Sequence, residues 1–317
     1  MIPVDLITGF LGAGKTTFLL RYARYLLSKG LKIGILVYDH GAVNVDLPLL
    51  NPLRSERCEL ETLAASCDTD CHRRRFRTKL LSMAMCGYDR ILIEPSGVFD
   101  MDEFYDTLAD APLDRMLAVG NVVCIVDAKL SEDSLPEEDF FLASQAACAG
   151  SVVLSRMQLA TDEERDSTLH HLDRALAAIH AEPISRSRVL RQDWDSLTGE
   201  DYEMLSRCGA FPPDYQKTLI GTGGFQSLSF LNLPLDEIAL REKTRTLFAD
   251  PAYGRILRVK GVFPEGERWC QLNATAHATQ VGQAERGLPV ITVIGRELNE
   301  NAINILLTGK APRLHIL

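Results

Sequence analysis

Short apolar runs and longer stretches with apolar residues at helical spacing alternate along the first half of the chain. The runs predict strands at residues 4–8, 32–38, 90–94, 121–127 and 151–154. The helical stretches include residues 17–28 and 161–179, and we expect His170 and His171 on the second of these to be surface residues. Strands that alternate with helices in this way are typical of a mostly parallel α/β sheet with helices on both faces.

The pattern changes after a stretch rich in glycine and proline, residues 209–224. Beyond it, strand-like runs at residues 225–231, 256–263, 269–274 and 289–294 occur with helical stretches at 235–248 and 299–307. This order predicts a small α+β domain. We therefore expect an α/β domain over residues 1–208, a linker over 209–224 and a C-terminal domain over 225–317, which suits a chain of 317 residues.

The segment after the first predicted strand has the sequence of a phosphate-binding loop, or P-loop. It reads GFLGAGKTT and fits the pattern G-x-x-x-x-G-K-T. In such a loop the backbone N–H groups turn towards phosphate oxygens, Lys15 reaches the β- and γ-phosphates, and the Thr16 hydroxyl binds Mg²⁺. A helix that begins here adds the positive end of its dipole. The expected nucleotide contacts are Gly9, Gly12, Ala13, Gly14, Lys15, Thr16 and Thr17.

Acidic residues stand at the carboxyl ends of two other predicted strands. Glu94 is followed by Pro95-Ser96-Gly97, and a nucleotide hydrolase needs such a carboxylate to organise Mg²⁺ or the attacking water. We expect the backbone N–H of Gly97 to contact the γ-phosphate. Asp39 follows the second strand and is placed to approach Mg²⁺ or a second metal ion. We assign catalytic roles to Lys15, Glu94 and Asp39.

A cluster of metal-binding residue types lies between the second and third predicted strands. Cys67, Asp70, Cys71 and His72 could supply thiolate, carboxylate and imidazole ligands to an ion such as Zn²⁺. The C-x₃-C spacing allows both sulfurs to reach one ion. A polar turn with incidental cysteines is the alternative interpretation.

Composition limits the function classes that remain. A net charge of −9 and the absence of a long basic stripe argue against nucleic-acid binding. No signal-like start and no run of about 18 apolar residues occur, so we expect no membrane partner and a cytoplasmic location. The eight cysteines are then expected to be free thiols or metal ligands rather than disulfides.

Taken together, these motifs resemble those of the CobW-type GTPases, relatives of the urease and hydrogenase nickel-insertion GTPases. The resemblance is carried by ITGFLGAGKTT, VYDHG, IEPSG and CIVDA, and by the C-terminal segments FQSLSF, GRILRVKG and IGREL. It covers nearly the whole chain. It implies GTP and Mg²⁺ as ligands, a transition-metal cargo such as Zn²⁺ or Co²⁺, and a client metalloprotein contacted by the C-terminal domain.

The chain departs from the family pattern at three places. Cys67-Asp68-Thr69-Asp70-Cys71 replaces the family's C-x-C-C motif, and Asp39 replaces a glutamate. Ser155-Arg156-Met157-Gln158 replaces N-K-x-D, whose aspartate accepts hydrogen bonds from guanine. Ser155 and Gln158 are therefore the expected contacts to the base, and GTP and ATP both remain open as substrates.

The leading interpretation is a P-loop nucleotide hydrolase that couples GTP hydrolysis to handling a metal or a metallocofactor. Two alternatives stay open: a nucleotide-gated binding module with no cargo metal, and an ATP-dependent reactivase of a cofactor-containing protein such as a corrinoid protein. A homodimer is compatible with the sequence, which leaves the oligomeric state undecided.

Overall fold

A computed structural model describes residues 1–39, 47–64, 69–130, 134–216, 225–276, 278–284 and 286–309. Within these residues, contacts divide the chain into two compact units. The first unit includes residues 1–39 and 49–216, and the second includes the described residues from 225 onwards.

Parallel strands form the centre of the first unit. The strands are β1 (Ile2–Thr8), β2 (Ile33–Asp39), β3 (Cys58–Ala64), β4 (Arg90–Glu94), β5 (Leu117–Asp127), β6 (Ser151–Ser155) and β7 (Val189–Leu190). They form one seven-stranded sheet in the order β3–β2–β4–β1–β5–β6–β7. Every neighbouring pair is parallel, so the predicted α/β class is confirmed. The middle strands β4, β1 and β5 are almost continuously buried, as strands covered on both faces should be.

Helices connect these strands. They are α1 (Lys15–Ser28), α2 (Leu47–Leu50), α3 (Thr69–Ala84), α4 (Met101–Ala109), α5 (Pro136–Ala147), α6 (Asp162–Ala178) and α7 (Gly199–Leu205). The start of α6 is fixed by a capping box, in which Thr161 and Glu164 each accept a hydrogen bond from the other's backbone N–H.

One prediction on α6 is wrong. His170 is exposed, but His171 is buried, and its Nε2 lies 2.7 Å from Asp139 Oδ1 on α5. His171 shares the inner face of α6 with Thr168 and Ala175, because residues three and four apart lie on one side of a helix. The position of His171 on the face that packs against α5 is therefore the reason why this histidine is buried.

Strand β3 has no counterpart in the sequence prediction. Its sequence, CELETLA, alternates apolar and polar residues because β3 is an edge strand with one exposed face. As a result Cys67 follows β3 in the sequence and Cys71 lies in the first turn of α3, so one more strand than predicted separates these two residues from β2.

A buried carboxylate on β1 ties distant parts of the first unit together. Asp5 is fully buried, and its Oδ2 accepts hydrogen bonds from Tyr22 Oη at 2.8 Å and Arg90 Nη1 at 2.7 Å. Its Oδ1 accepts from the backbone N–H and the side-chain amide of Asn121. Asn121 Oδ1 in turn accepts from the N–H of Gly209. The charge is thus compensated by an arginine and several donors, as a buried carboxylate requires.

The start of the predicted linker lies against the first unit. Val122 N donates to Gly209 O, Phe211 N to Cys148 O and Gln216 N to Ile179 O. The domain boundaries at 208 and 225 remain a prediction.

The second unit is a five-stranded antiparallel sheet with two helices. Its strands are β8 (Phe225–Leu231), β9 (Arg255–Glu265), β10 (Arg268–Thr275), β11 (Ala278–Ala284) and β12 (Val290–Arg296), and its helices are α8 (Glu237–Ala249) and α9 (Glu300–Thr308). The sheet order is β11–β10–β9–β12–β8. Leu240 and Leu247 of α8 and Ile303 of α9 belong to the same buried apolar cluster as Val259 of β9 and Leu272 of β10. This unit is the predicted α+β fold, and only the edge strand β11 was missed.

Candidate phosphate and nucleotide site

The segment predicted as a P-loop connects β1 to α1, at the middle of the parallel sheet. Gly9 has a φ of 142°, and a Cβ atom added there would lie 2.2 Å from the carbonyl oxygen of Ile125. Gly14 precedes the first residue of α1, and no side chain caps the helix there. The first N–H groups of α1 are therefore available to bind an anion.

Lys15 is the cation of this loop. Its side chain is buried, and Nζ donates to the carbonyl oxygen of Gly9 at 2.9 Å and to that of Phe10 at 3.3 Å. These contacts fold the side chain back over the loop and hold the ammonium group next to the backbone that would surround the phosphates.

Thr16, in the first turn of α1, contacts Glu94, the last residue of β4. Thr16 Oγ1 donates a hydrogen bond of 2.6 Å to Glu94 Oε1, and both residues are buried. Two oxygen ligands this close suit Mg²⁺, which is bound in nucleotide sites by one or two protein oxygens together with phosphates and water. The residues present therefore fit the ion that the P-loop implies.

Asp39 ends β2 at the same edge of the sheet. Val37 of β2 is in register with Glu94 of β4, so the backbone of Asp39 lies two residues beyond that level. Its side chain lies outside what the structure describes.

The loop after β4 packs directly on the P-loop. A Cβ atom at Gly97 would lie 2.4 Å from the backbone nitrogen of Leu11, so only glycine fits there. The fully buried Gln145 on α5 links the two loops, because its Oε1 accepts from Gly9 N at 3.0 Å and its Nε2 donates to Gly97 O at 3.0 Å. Sequence reasoning missed Gln145, which belongs to no local motif and lies more than a hundred residues from Gly9.

The other side of the P-loop faces the end of β6. Arg156 has a φ of 55° and donates from Nη2 to the carbonyl oxygen of Gly12 at 2.7 Å. Its Nη1 donates to the carboxylate of Asp127, the last residue of β5. Ser155 is buried and Gln158 is exposed. Sequence reasoning noted Arg156 only as part of a departure from the family pattern and gave it no role.

The predicted cargo-metal ligands are not assembled in the described part of the chain. Cys67 lies outside the described residues, as do the side chains of Asp70 and His72. Among the side chains that are described, no group of three or more histidine, cysteine or acidic residues could hold a metal ion.

Cys71 is disulfide-bonded, so the expectation that every cysteine is a free thiol or a ligand is wrong at this position. That expectation rested on a reducing surrounding, which the residues themselves do not encode. Six other cysteines are free. Burial raises the pKa of the Cys124, Cys148 and Cys208 thiols to about 12, so these three stay protonated at neutral pH.

A further feature of the helices concerns membrane spans. Within the described ranges, none combines the length and the apolar composition that crossing a bilayer requires.

A glycine-rich loop between a central parallel strand and a helix, with a lysine over the loop and a threonine against a carboxylate, defines a P-loop nucleotide-binding protein. The particular family follows from comparison with known proteins. The family model "CobW/HypB/UreG, nucleotide-binding domain" matches residues 3–182, and the chain belongs to this family.

Curated relatives support the assignment. The chain is 28% identical over 174 residues to the zinc chaperone YjiA of Escherichia coli, which covers 52% of either protein. It is 26% identical over 208 residues to the zinc-regulated GTPase metalloprotein activator 1 of Dictyostelium discoideum, covering 54% of this chain and 43% of that protein. The chain thus spans about half the length of the curated relatives it matches.

Solved structures show further likeness. The Zn(II)-bound YjiA GTPase from E. coli matches over 97% of this chain and 98% of that one, at 20% identity and a TM-score of 0.36. The hydrogenase maturation factor HypB from Archaeoglobus fulgidus matches over 65% and 88%, at 18% identity and a TM-score of 0.40.

Proposed function

We propose that the first unit binds and hydrolyses a nucleoside triphosphate, GTP in the first instance, and that this reaction controls the delivery of a metal ion to a client metalloprotein. The observation that carries the proposal is the 2.6 Å contact between Thr16 and Glu94, directly beside Lys15 on the P-loop. Family membership supports the nucleotide and the metal, and leaves the client and the cargo unidentified.

The residues have separable roles in this reaction. The backbone N–H groups between Gly9 and Thr17 hold the phosphates, and Lys15 places its charge on the β- and γ-phosphate oxygens. Glu94 and Asp39 orient the attacking water, and the N–H of Gly97 contacts the γ-phosphate. Thr16, with Glu94 and Asp39 at the same edge of the sheet, would hold Mg²⁺, and the bound ion would supply positive charge to the phosphate oxygens.

The cargo ion is the second part of the proposal. Cys67, Asp70, Cys71 and His72 are the proposed ligands, with Zn²⁺ as the first candidate because curated relatives are zinc chaperones, and Co²⁺ as the second. Cys71 must be reduced before it can bind, since the thiolate is the ligand.

Two other functions are each favoured by a separate observation. The disulfide at Cys71 favours a nucleotide-gated binding module in which this segment carries no cargo. The segment after β6, Ser155-Arg156-Met157-Gln158, contains no carboxylate to read guanine, which favours an ATP-dependent protein such as a cofactor-protein reactivase.

A cobalt titration tests the proposed coupling. Reduced protein is titrated with Co²⁺ in the presence of GDP or a non-hydrolysable GTP analogue, and thiolate-to-metal charge-transfer absorption is measured. We expect the two nucleotides to give different Co²⁺ affinities, and Co²⁺ to change the nucleotide affinities by the same factor.

Two variants give this titration its controls. The double variant Cys67→Ser/Cys71→Ser should lose the absorption, whereas Cys86→Ser, which removes an exposed cysteine, should keep it. If the double variant binds Co²⁺ as tightly as the wild type, the cargo proposal fails and the binding module is favoured.

A further inference from the structure

The sheet order gives the P-loop two different sides. β4 lies on one side of β1, and β5, β6 and β7 follow on the other. Glu94 and Gly97 occupy the β4 side and form the γ-phosphate end of the proposed site. A nucleotide whose phosphates lie along the loop therefore directs its nucleoside towards the ends of β6 and β7, because ligands of parallel sheets bind at the carboxyl ends of the strands.

Trp194, in the segment after β7, stands on this side of the loop. Its ring atom Cη2 lies 3.2 Å from the position that a Cβ atom would take on Gly14, and the side chain is half-buried. The indole is held by a hydrogen bond from Nε1 to Leu154 O at 2.9 Å and by an edge contact with the ring of Phe18. Arg21 Nη1 also donates to the carbonyl oxygen of Trp194 at 2.8 Å. The aromatic ring is thus fixed next to the start of α1.

A second observation at the same place points to a ligand. Ser155, the last residue of β6, is only 2% exposed, and its Oγ has no hydrogen-bond partner within the described ranges of the chain. Its Cβ lies 3.8 Å from the same Cβ position on Gly14. A buried hydroxyl is normally hydrogen-bonded, and a polar ligand at this point would supply the partner.

The charged groups nearby do not offer the hydrogen bonds that distinguish guanine. Asp127 is paired with Arg156, which also donates to Gly12 O on the P-loop, and Asp195 beside Trp194 is paired with Arg21. Residues 156–161, which follow β6, include no acidic residue. An aromatic ring, in contrast, stacks on every base, because every base has a π face.

We infer that Trp194 is the base-stacking residue of the nucleotide site and that, with Ser155, it makes the site accept adenine as well as guanine nucleotides. The inference rests on the proposed function, since it takes the P-loop as the phosphate site. It assigns the base contact to an aromatic side chain in the segment after β7, outside every motif noted in the sequence.

Tryptophan fluorescence tests the contact directly. The chain has two tryptophans, and Trp269 lies in the second unit, so the variant Trp269→Phe leaves Trp194 as the single reporter. This protein is titrated with GDP, ADP and pyrophosphate. GDP and ADP should both change the emission of Trp194, and pyrophosphate, which has no base, should bind without changing it.

The affinities of Trp194 variants for GDP, ADP and pyrophosphate show whether Trp194 stacks on the base or only supports the P-loop. Trp194→Ala should weaken GDP and ADP binding by about tenfold each and leave pyrophosphate binding unchanged. Trp194→Phe, which keeps an aromatic ring, should retain most of the nucleotide affinity and remains informative if the alanine variant does not fold.

Three results would overturn the inference: an equal loss for all three ligands in Trp194→Ala, a loss for GDP alone, or no loss at all. A wild-type protein that binds neither pyrophosphate nor GDP would instead overturn the proposed function, on which the inference depends.

Discussion

At the scale of single residues, the candidate site depends on the close packing at Gly97 and on the position of the Lys15 side chain. Gly97 leaves no space for a Cβ atom against Leu11, and Lys15 folds onto the carbonyl oxygens of Gly9 and Phe10. In the proposed site, the N–H of Gly97 and the ammonium group of Lys15 would contact phosphate oxygens. Removal of the Lys15 ammonium group should therefore affect chemistry more than folding.

Lys15→Ala should reduce nucleotide hydrolysis to background while the protein stays folded. The substitution removes the charge on the β- and γ-phosphates and takes no apolar side chain out of the core. Turnover is measured by phosphate release, and folding by circular dichroism and thermal unfolding. Lys29→Ala, at the exposed lysine that follows the last residue of α1, is the matched control and should keep normal turnover. Normal turnover in Lys15→Ala would refute the P-loop assignment.

Gln158→Asp should increase the preference for GTP over ATP. Gln158 is exposed after β6 and offers a carboxamide where a guanine-reading carboxylate is needed, so the wild type should discriminate weakly. The dissociation constants of both nucleotides are measured for the wild type, for Gln158→Asp and for the control Leu159→Asp, which adds the charge one residue further on. A wild type that already rejects ATP by about a thousandfold, or roughly 4 kcal/mol, would show that another group reads the base.

At the scale of elements, helix α5 connects the two loops that are proposed to contact the phosphates. The side chain of Gln145 on α5 forms hydrogen bonds with both loops: it accepts from Gly9 N and donates to Gly97 O. Its amide also donates weakly to Phe99 O at 3.5 Å. The position of α5 therefore sets the distance between the P-loop and the loop after β4.

Gln145→Glu should destabilise the protein and weaken triphosphate binding more than diphosphate binding. An ionised glutamate can still accept from Gly9 N but cannot donate to Gly97 O, and leaving a buried group unsatisfied costs about 1–3 kcal/mol. Urea unfolding gives the loss of stability, and titration with GDP and a GTP analogue gives the affinities. The same change at the exposed Gln192 should do neither. Equal weakening of both nucleotides would mean that Gln145 supports the fold alone.

At the scale of the whole molecule, the proposed cargo segment and Trp194 follow the two opposite edge strands of the sheet in the first unit. The proposed cargo segment follows β3 on one side of the P-loop, and Trp194 follows β7 on the other. In the proposed function, the phosphates of one bound nucleotide would lie between these two edges of the sheet. This arrangement is why a change at the γ-phosphate could reach the metal end and leave the base contact as it is.

Metal affinity should fall steeply as the pH falls. Cys67 and Cys71 bind as thiolates, and an ordinary thiol is protonated below a pH of about 8.5, so protons compete with the metal. With two thiols, affinity should drop by up to about a hundredfold per pH unit. Co²⁺ titrations of reduced protein between neutral and mildly acidic pH measure this slope. The buried cysteines do not interfere, since the pKa of Cys124 is raised to about 12. A flat profile would exclude thiolate ligands.

The sequence alone determined the P-loop and the positions of most strands along the chain, and it indicated Thr16 and Glu94 as candidate Mg²⁺ ligands. These features are local or follow from the topology of parallel strands, whose carboxyl ends share one edge of the sheet. The glycines and Lys15 are specified within nine residues, and Glu94 is specified by the end of an apolar run. Edge strands such as β3 and β11 were missed because an exposed face dilutes the apolar signal.

Only the tertiary structure decided the contacts between residues far apart along the chain. The amide of Gln145 against Gly9, the pairing of Arg156 with Asp127 and Gly12, the burial of His171 against Asp139 and the place of Trp194 beside Gly14 have no signature in sequence spacing. Each depends on which strand or helix packs beside which. A motif fixes the chemistry of its own few residues, whereas packing alone determines which distant side chains complete the site.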